Sequence, residues 1–145
     1  MPLRSPRLLI VDANILFSFF KKDSARRRII KRLSNRGSKL ISPDFVMEEL
    51  LSDKEKIMRF AKINELEFNF LFSLLERKIE TFSKSKYEEF ISEGKEISPH
   101  DKDVPYFALA LSLNSSIWSG EKAFKKEQSQ IKALSTRELV ELLES

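Results

Sequence analysis

Four acidic residues lie at positions where a chain of alternating strands and helices would bring their carboxylates together. Asp12 follows the apolar run Leu8–Val11, and Glu121 follows a strand predicted at residues 115–119. Glu49 comes about two helical turns after a short strand predicted at residues 39–42, and Asp103 precedes a strongly apolar helix. Ligands of open parallel sheets gather outside the carboxyl ends of the strands. We therefore expect these four side chains to meet at one edge of a sheet.

The chemistry of such a cluster depends on how its charge is compensated. Neighbouring carboxylates raise one another's pKa values, so they remain ionised mainly where a divalent cation is bound. The chain has no cysteine and a single histidine, His100, which excludes thiolate and multi-histidine metal sites. An all-oxygen ligand set favours Mg²⁺ or Mn²⁺ over zinc. Such an ion can activate water and stabilise charge on a phosphate undergoing displacement.

Each of these acids also has a purely structural explanation. Asp12 and Asp103 precede predicted helices, where aspartate is a common N-cap residue. Glu49 and Glu121 lie near the starts of predicted helices, where acidic side chains interact favourably with the helix dipole. The metal hypothesis therefore depends on the whole set of acids and its order along the chain.

Basic residues are concentrated in one stretch of the chain. Residues 21–39 contain nine lysines and arginines and one acid, a local net charge of +8, whereas the whole chain carries +4. Arg28, Arg32 and Arg36 recur one turn apart on a predicted helix, opposite an apolar stripe. This asymmetry indicates a polyanionic partner, and a solvated helix face is the alternative explanation.

Strands and helices are predicted to alternate along the entire chain. The predicted strands are 8–11, 39–42, 79–82, 115–119 and 131–134. The predicted helices are 13–22, 24–36, one opened by Pro43 and Asp44, a helical hairpin over 53–77, and then 83–94, 104–113, 121–127 and 135–144. This alternation predicts an α/β fold with a mostly parallel sheet. The 145 residues suit one domain spanning residues 1–145.

Composition excludes several classes of protein. The chain is 41% hydrophobic and 33% charged, unlike an intrinsically disordered chain. Its longest candidate for a targeting segment, Leu8–Val11, is too short for a signal-peptide core, and it contains no apolar span of about 18 residues. We expect a globular, cytoplasmic protein that does not enter a membrane.

The order of four segments resembles the PIN-domain family, in particular the small prokaryotic PIN proteins that include VapC-type toxins. The segments are LIVDANIL at 9–16, PDFVMEEL at 43–50, DKDVPYFALAL at 101–111 and IWSGEKAF at 117–124. They extend over essentially the whole chain, and the last two are the most specific. The resemblance implies a three-layer α/β/α sandwich around a mostly parallel central sheet, a Mg²⁺ or Mn²⁺ site, and cleavage of RNA.

The resemblance also implies roles for particular residues. By position, the four family acids fall on Asp12, Glu49, Asp103 and Glu121. The fourth family position is usually Asp, so Glu121 keeps the charge on a side chain one methylene longer. Supporting roles fall to residues close to these acids: Asn14, Ser119 and Asp101.

The sequence therefore predicts a metal-dependent endoribonuclease, with the toxin of a toxin–antitoxin pair as one biological setting. The alternative is a PIN-fold module that binds RNA or a protein without cleaving its ligand. Arg28, Arg32 and Arg36 are the predicted contacts to the RNA backbone. The apolar segment 60–75 fits a helical-hairpin core, a contact between two copies in a homodimer, or a contact with an antitoxin.

Overall fold

A five-stranded parallel sheet lies at the centre of the computed structural model, which describes residues 5–144. The strands are β1 (Leu8–Val11), β2 (Lys39–Pro43), β3 (Ile79–Phe82), β4 (Ser116–Trp118) and β5 (Ala133–Leu134). Their order is β3-β2-β1-β4-β5, and every neighbouring pair is parallel. The middle strand is β1, whose residues Leu9, Ile10 and Val11 are fully buried. Since successive strand residues face opposite sides, both faces of the sheet are covered.

Helices connect the strands and form the two outer layers. They are α1 (Ala13–Ser18), α2 (Ala25–Asn35), α3 (Phe45–Ser52), α4 (Lys54–Ala61), α5 (Glu65–Lys78), α6 (Lys84–Tyr87), α7 (Ile91–Ile97), α8 (Val104–Leu113), α9 (Ala123–Lys126) and α10 (Thr136–Glu144). Helix α2 packs against α1, α5 and α10, whereas α8 packs against α6, α7 and the central strands. The predicted three-layer α/β/α sandwich is thereby confirmed.

Helix α8 is the apolar helix that the sequence predicted to be buried. Its residues Phe107, Ala108 and Leu109 are fully buried. It also packs closely on α7, because Gly94 has no side chain at the contact. A Cβ atom added at Gly94 would lie 3.2 Å from the backbone atoms Ala108 N and Val104 O. This close packing fixes the start of α8.

Two predicted helices have different bounds in the structure. The helix predicted over 13–22 ends at Ser18, because the N–H groups of Phe19 and Phe20 bond to carbonyls three residues earlier, as in a tighter 3₁₀ turn. The helix predicted over 83–94 is divided into α6, a 3₁₀ turn at Glu88–Phe90 and α7. Gly94, taken as a helix end in the sequence, lies inside α7.

Side-chain hydrogen bonds shorten two further elements. The strand predicted over 131–134 keeps only Ala133–Leu134, because the Gln128 side chain bonds both the N–H and the C=O of Ile131. The helix predicted over 121–127 begins at Ala123, because the Glu121 N–H donates to Ser119 Oγ. These competing bonds involve residues two or three positions apart, which hydrophobic periodicity does not reveal.

Several predicted helix ends are confirmed. Ser24 caps α2 by accepting a hydrogen bond from the Arg27 N–H at 3.2 Å. Gly37, just beyond the end of α2, has the positive φ of 88° that favours glycine. Ser135 and Glu138 form the predicted capping box of α10.

The segment 60–75 has a buried side and an exposed side. Phe68 and Leu75 are fully buried in the core, so the predicted hairpin core is confirmed. Phe60, Leu66 and Phe70 lie at the surface instead, with exposed fractions of 46%, 80% and 69%. Within residues 5–144, no helix combines the length and the apolar character needed to cross a bilayer.

Candidate functional site

The carboxyl ends of β1 and β4 position the first acid. Val11 and Trp118 are paired in register, and the Asp12 N–H donates to the Trp118 carbonyl at 3.1 Å. Asp12 therefore lies beside Ser119, whose Oγ donates to Asp12 Oδ2 at 2.7 Å. The other carboxylate oxygen accepts the Asn14 N–H at 3.4 Å, which caps α1. The Asp12 carboxylate is held in one orientation by the strand register and by two hydrogen bonds.

Asp103 does not act as a helix cap. It precedes α8, but its side chain makes no capping hydrogen bond. The residue is 5% exposed, and its Oδ2 has no hydrogen-bond partner among the described residues. Leaving a buried carboxylate oxygen without a partner costs free energy. The N-cap explanation of Asp103 is therefore wrong, and this oxygen is available to a ligand.

All four predicted acids line one pocket of about 260 Å³. Glu49 reaches it from α3, and Glu121 reaches it from the loop between β4 and α9. The Glu121 N–H donates to Ser119 Oγ at 3.0 Å, so Ser119 links this loop to Asp12. In the part of the chain that the structure describes, no three acidic or histidine side chains already form a cluster that could hold a metal ion. The acids instead surround a common cavity.

The electrostatics of the pocket oppose ionisation. Burial, followed by the charge of Asp12, raises the pKa of Asp103 to about 6. Burial also raises the pKa of Asp12, although the hydrogen bond from Ser119 acts in the opposite direction. The pKa of Glu49 is raised by burial and by the nearby charge of Asp53. The pocket therefore favours either protonated carboxyl groups or a bound cation.

The residues of the pocket fit Mg²⁺ or Mn²⁺. Carboxylate oxygens are the hard donors that these ions prefer. The Oδ2 atom of Asp103 is a buried oxygen that accepts no hydrogen bond from any group within residues 5–144, so it can serve as a metal ligand. Asp12, Glu49, Asp103 and Glu121 are the residues that would hold such an ion.

Tyr106 is a pocket residue that the sequence analysis missed. It follows Asp103 by three residues on α8, so both side chains lie on one helix face. Its side chain is buried and lines the pocket. Burial and the charges of Asp12 and Glu49 raise its pKa, so the phenol stays protonated. The spacing from Asp103 was the signal that could have identified it.

Two lysines and an aromatic residue lie at the margin of the pocket. Lys102 partly offsets the charges of Asp12 and Asp103. Lys56 and Phe17 also line the pocket, with the Lys56 ammonium 5.8 Å from the centroid of the Phe17 ring. Sequence reasoning passed over both lysines because isolated lysines are ordinary surface residues.

The supporting residues have different positions. Asn14 and Ser119 lie next to Asp12, and each forms one of its hydrogen bonds. Asp101 is exposed in the 3₁₀ turn Asp101–Asp103 and does not line the acidic pocket. Its supporting role stays a prediction.

The three arginines predicted to bind RNA lie away from the acidic pocket. The Arg28 guanidinium donates to the Asp23 carbonyl at 3.0 Å. Arg32 and Arg36 each donate to the carbonyl of Leu143, also at 3.0 Å. These two arginines therefore tie the end of α10 to α2. Contact of all three with RNA stays a prediction.

A different arginine of α2, Arg26, lies beside the site. Its guanidinium donates to Ser18 Oγ at 3.2 Å, to the Asn14 carbonyl at 3.5 Å and to Thr136 Oγ1 at 3.3 Å. A Cβ atom at Gly120 would lie 3.1 Å from its Nη2. Arg26 therefore connects α1, the loop after β4 and the start of α10 around Asp12.

Comparisons with known proteins agree with this architecture. The family model described as "PIN domain" matches residues 10–143. One solved structure, VapBC2 from Rickettsia felis bound to a DNA fragment from their promoter, contains a chain of similar fold. The TM-score is 0.62 at 14% sequence identity, over 88% of this chain and 98% of that chain. No curated protein matches the chain. At this identity the structural likeness establishes the fold.

Proposed function

Because this chain belongs to the PIN-domain family, we propose that it is a metal-dependent endoribonuclease whose active site is the acidic pocket. The observation that carries the proposal is Asp103 Oδ2, which is buried and unpaired among the described residues. Buried polar atoms with only a structural role are almost always hydrogen-bonded. An unpaired carboxylate oxygen beside three other acids is instead consistent with a cation site.

The residues of the pocket have different roles in the proposed reaction. Ser119 orients the Asp12 carboxylate, and the packing of α8 holds Asp103 at the pocket. Two of the proposed metal ligands are therefore held by rigid elements. Glu49 and Glu121 add negative charge from the two sides of the pocket. A bound Mg²⁺ or Mn²⁺ would supply activation of water and neutralisation of the charge on the phosphate. The protonated Tyr106 hydroxyl can donate a hydrogen bond inside the pocket.

The biological setting is part of the same proposal. The likeness to a VapBC2 chain supports a toxin that acts on cytoplasmic RNA and is restrained by an antitoxin protein. The exposed Leu66 and Phe70 offer apolar surface for such a partner or for a second copy of the chain. An antitoxin gene beside this one, and co-purification of its product, would support this setting.

A cleavage assay tests the nuclease. A mixed RNA pool should be cleaved in Mn²⁺ or Mg²⁺ and left intact in EDTA. Glu49→Gln should slow cleavage, whereas Glu48→Gln should not, because Glu48 is the neighbouring acid on α3 and does not line the pocket. Cleavage that survives exhaustive chelation would contradict the metal mechanism. RNA binding without cleavage in either metal would support the non-cleaving module instead.

Metal binding also has a readout that is independent of activity. Mn²⁺ should raise the melting temperature of the wild-type chain, since a ligand that binds only the folded state stabilises it. Glu49→Gln should reduce this increase and Glu48→Gln should preserve it.

A further inference from the structure

We propose that aromatic and lysine side chains beside the acidic pocket bind single-stranded RNA, with one base stacked on Phe60. The stacking strip is defined here as Phe17, Lys21, Lys56 and Phe60. The proposal rests on the proposed ribonuclease function and adds the path by which the substrate enters the pocket.

The stacking strip is continuous with the acidic pocket. Phe17 lines that pocket together with Asp12, and its ring centroid is 5.1 Å from that of Phe60. Phe60 is 46% exposed and also lines two adjoining surface grooves, each of which includes Lys21. A single-stranded RNA with one phosphate in the pocket would therefore have its neighbouring nucleotides over these two rings.

The charges along the strip fit a nucleic acid. The Lys56 ammonium lies 5.8 Å from the Phe17 centroid, and the Lys21 ammonium lies 5.6 Å from the Phe60 centroid. Neither lysine forms a salt bridge within residues 5–144. Proteins that bind single strands combine aromatic platforms for bases with cations for phosphates. A flexible lysine stem allows the ammonium to move from the ring to a phosphate, which leaves the ring face to a base.

Other surfaces fit the substrate less well. Arg32 and Arg36 already donate to Leu143 and lie outside the acidic pocket. Phe70 shares one groove with Phe60 and is more exposed, but its ring is not paired with that of Phe17 and it does not line the acidic pocket. Phe60 is therefore an exposed ring that adjoins the acidic pocket through its contact with Phe17.

Binding of a short, fluorescein-labelled, mixed-sequence single-stranded RNA in EDTA tests the aromatic part, with fluorescence anisotropy as the readout. Phe60→Leu should weaken affinity by at least about fivefold, the lower end of the loss for one stacked base. Phe60→Tyr keeps a ring and should retain affinity. Phe70→Leu is the matched control, and it should change affinity by less than about twofold, since only Phe60 is proposed to stack.

The salt dependence of binding tests the lysines. Lys21→Gln and Lys56→Gln should each flatten the slope of log affinity against log salt by about 0.7, the value for one phosphate contact on a single strand. Lys95→Gln removes one exposed charge of α7, outside the strip and the acidic pocket, and should leave the slope unchanged. Circular dichroism and thermal melting establish whether each variant is folded. If Phe60→Leu unfolds, the salt dependence of the two lysine variants still tests whether the strip binds RNA.

The outcomes separate this proposal from its premise. Unchanged RNA affinity in folded Phe60→Leu, or an equal loss in Phe70→Leu, would overturn the stacking strip. Self-association or protein binding that depends on Phe60, with RNA affinity unaffected, would also overturn it and assign the surface to a protein. RNA affinity that depends on the strip, in a chain that cleaves nothing with Mn²⁺, would support the strip and contradict the nuclease. A chain that binds no RNA would overturn both.

Discussion

The acidic pocket and the stacking strip lie side by side but are built in different ways. In the pocket, strand register and buried hydrogen bonds hold Asp12 and Ser119, and the packing of α8 holds Asp103. In the strip, Lys56 and Phe60 are exposed side chains on α4, and their positions depend little on the sheet. The difference suggests that the fold determines the proposed chemistry, whereas surface side chains determine how a substrate is held.

The two regions also differ in their effect on the stability of the folded chain. The pocket keeps carboxyl groups whose ionisation is opposed by burial and by one another, as the raised pKa of Asp103 indicates. The strip contains solvated lysines over aromatic rings, a weakly favourable arrangement. Substitutions that remove charge from the pocket should therefore lower activity and raise the stability of the metal-free chain. Substitutions in the strip should not raise stability in this way.

The largest expected effect tests whether the pocket is the active centre. Asp103→Asn should lower kcat/KM for RNA cleavage by at least about 100-fold, because it removes a buried charged donor. Glu96→Gln is the control, an exposed acid on α7 that lies outside the pocket, and it should retain activity. Equal activities of the two variants would remove Asp103 from the active centre.

A smaller effect is expected where a residue acts through another. Ser119→Ala leaves Asp12 without its hydrogen bond at 2.7 Å, and loss of such an orienting contact typically costs about 10- to 100-fold in metal affinity or activity. A titration of cleavage with Mn²⁺ should show a weaker apparent metal affinity. Ser112→Ala, on the far half of α8, should leave the titration unchanged, and an identical shift in both variants would indicate general destabilisation.

The pH dependence of stability tests the electrostatic cost of the pocket. The pKa of Asp103 in the folded chain, about 6, lies above its ordinary value of 3.8, so the folded state holds this proton more tightly. The resulting stabilisation is fully present below about pH 4 and is lost as the pH rises through about 6; it amounts to about 3 kcal/mol. Denaturant titrations of metal-free protein should show this loss in the wild type and its absence in Asp103→Asn. A wild-type stability that rises over this interval would contradict the burial of an unpaired acid.

The smallest expected effect concerns the arginines of α2. The double substitution Arg32→Gln and Arg36→Gln should lower the free energy of unfolding by about 1 kcal/mol, because both side chains bond the Leu143 carbonyl. Arg28→Gln should change it by less than about 0.5 kcal/mol, as is usual at the surface. Urea titrations measure both. A loss of RNA affinity without a loss of stability in the double variant would instead support the original prediction that these arginines bind RNA.

Sequence patterns predicted most of the fold because they act locally. The apolar run before Asp12 identified the central strand, and all four acids reached one pocket, as the order of segments implied. Partners across the fold were harder to foresee. Periodicity identified the polar face of α2, but it could not show that Arg32 would meet Leu143 from a helix more than 100 residues later. Likewise the position of Asp103 suggested a cap, whereas its side chain enters a cavity formed by distant elements.

The missing side chain at Gly94 has a consequence for the distance between Asp103 and Asp12, two of the proposed metal ligands. The nearest neighbours of an added Cβ are backbone atoms of α8, which cannot rotate away as a side chain would. A methyl group at this position would displace the helix that begins directly after Asp103, while Asp12 stays fixed by the sheet. The distance between the two carboxylates therefore depends on the absence of a Cβ atom on a third element. Adding one carbon to α7 would change this distance without contacting either carboxylate.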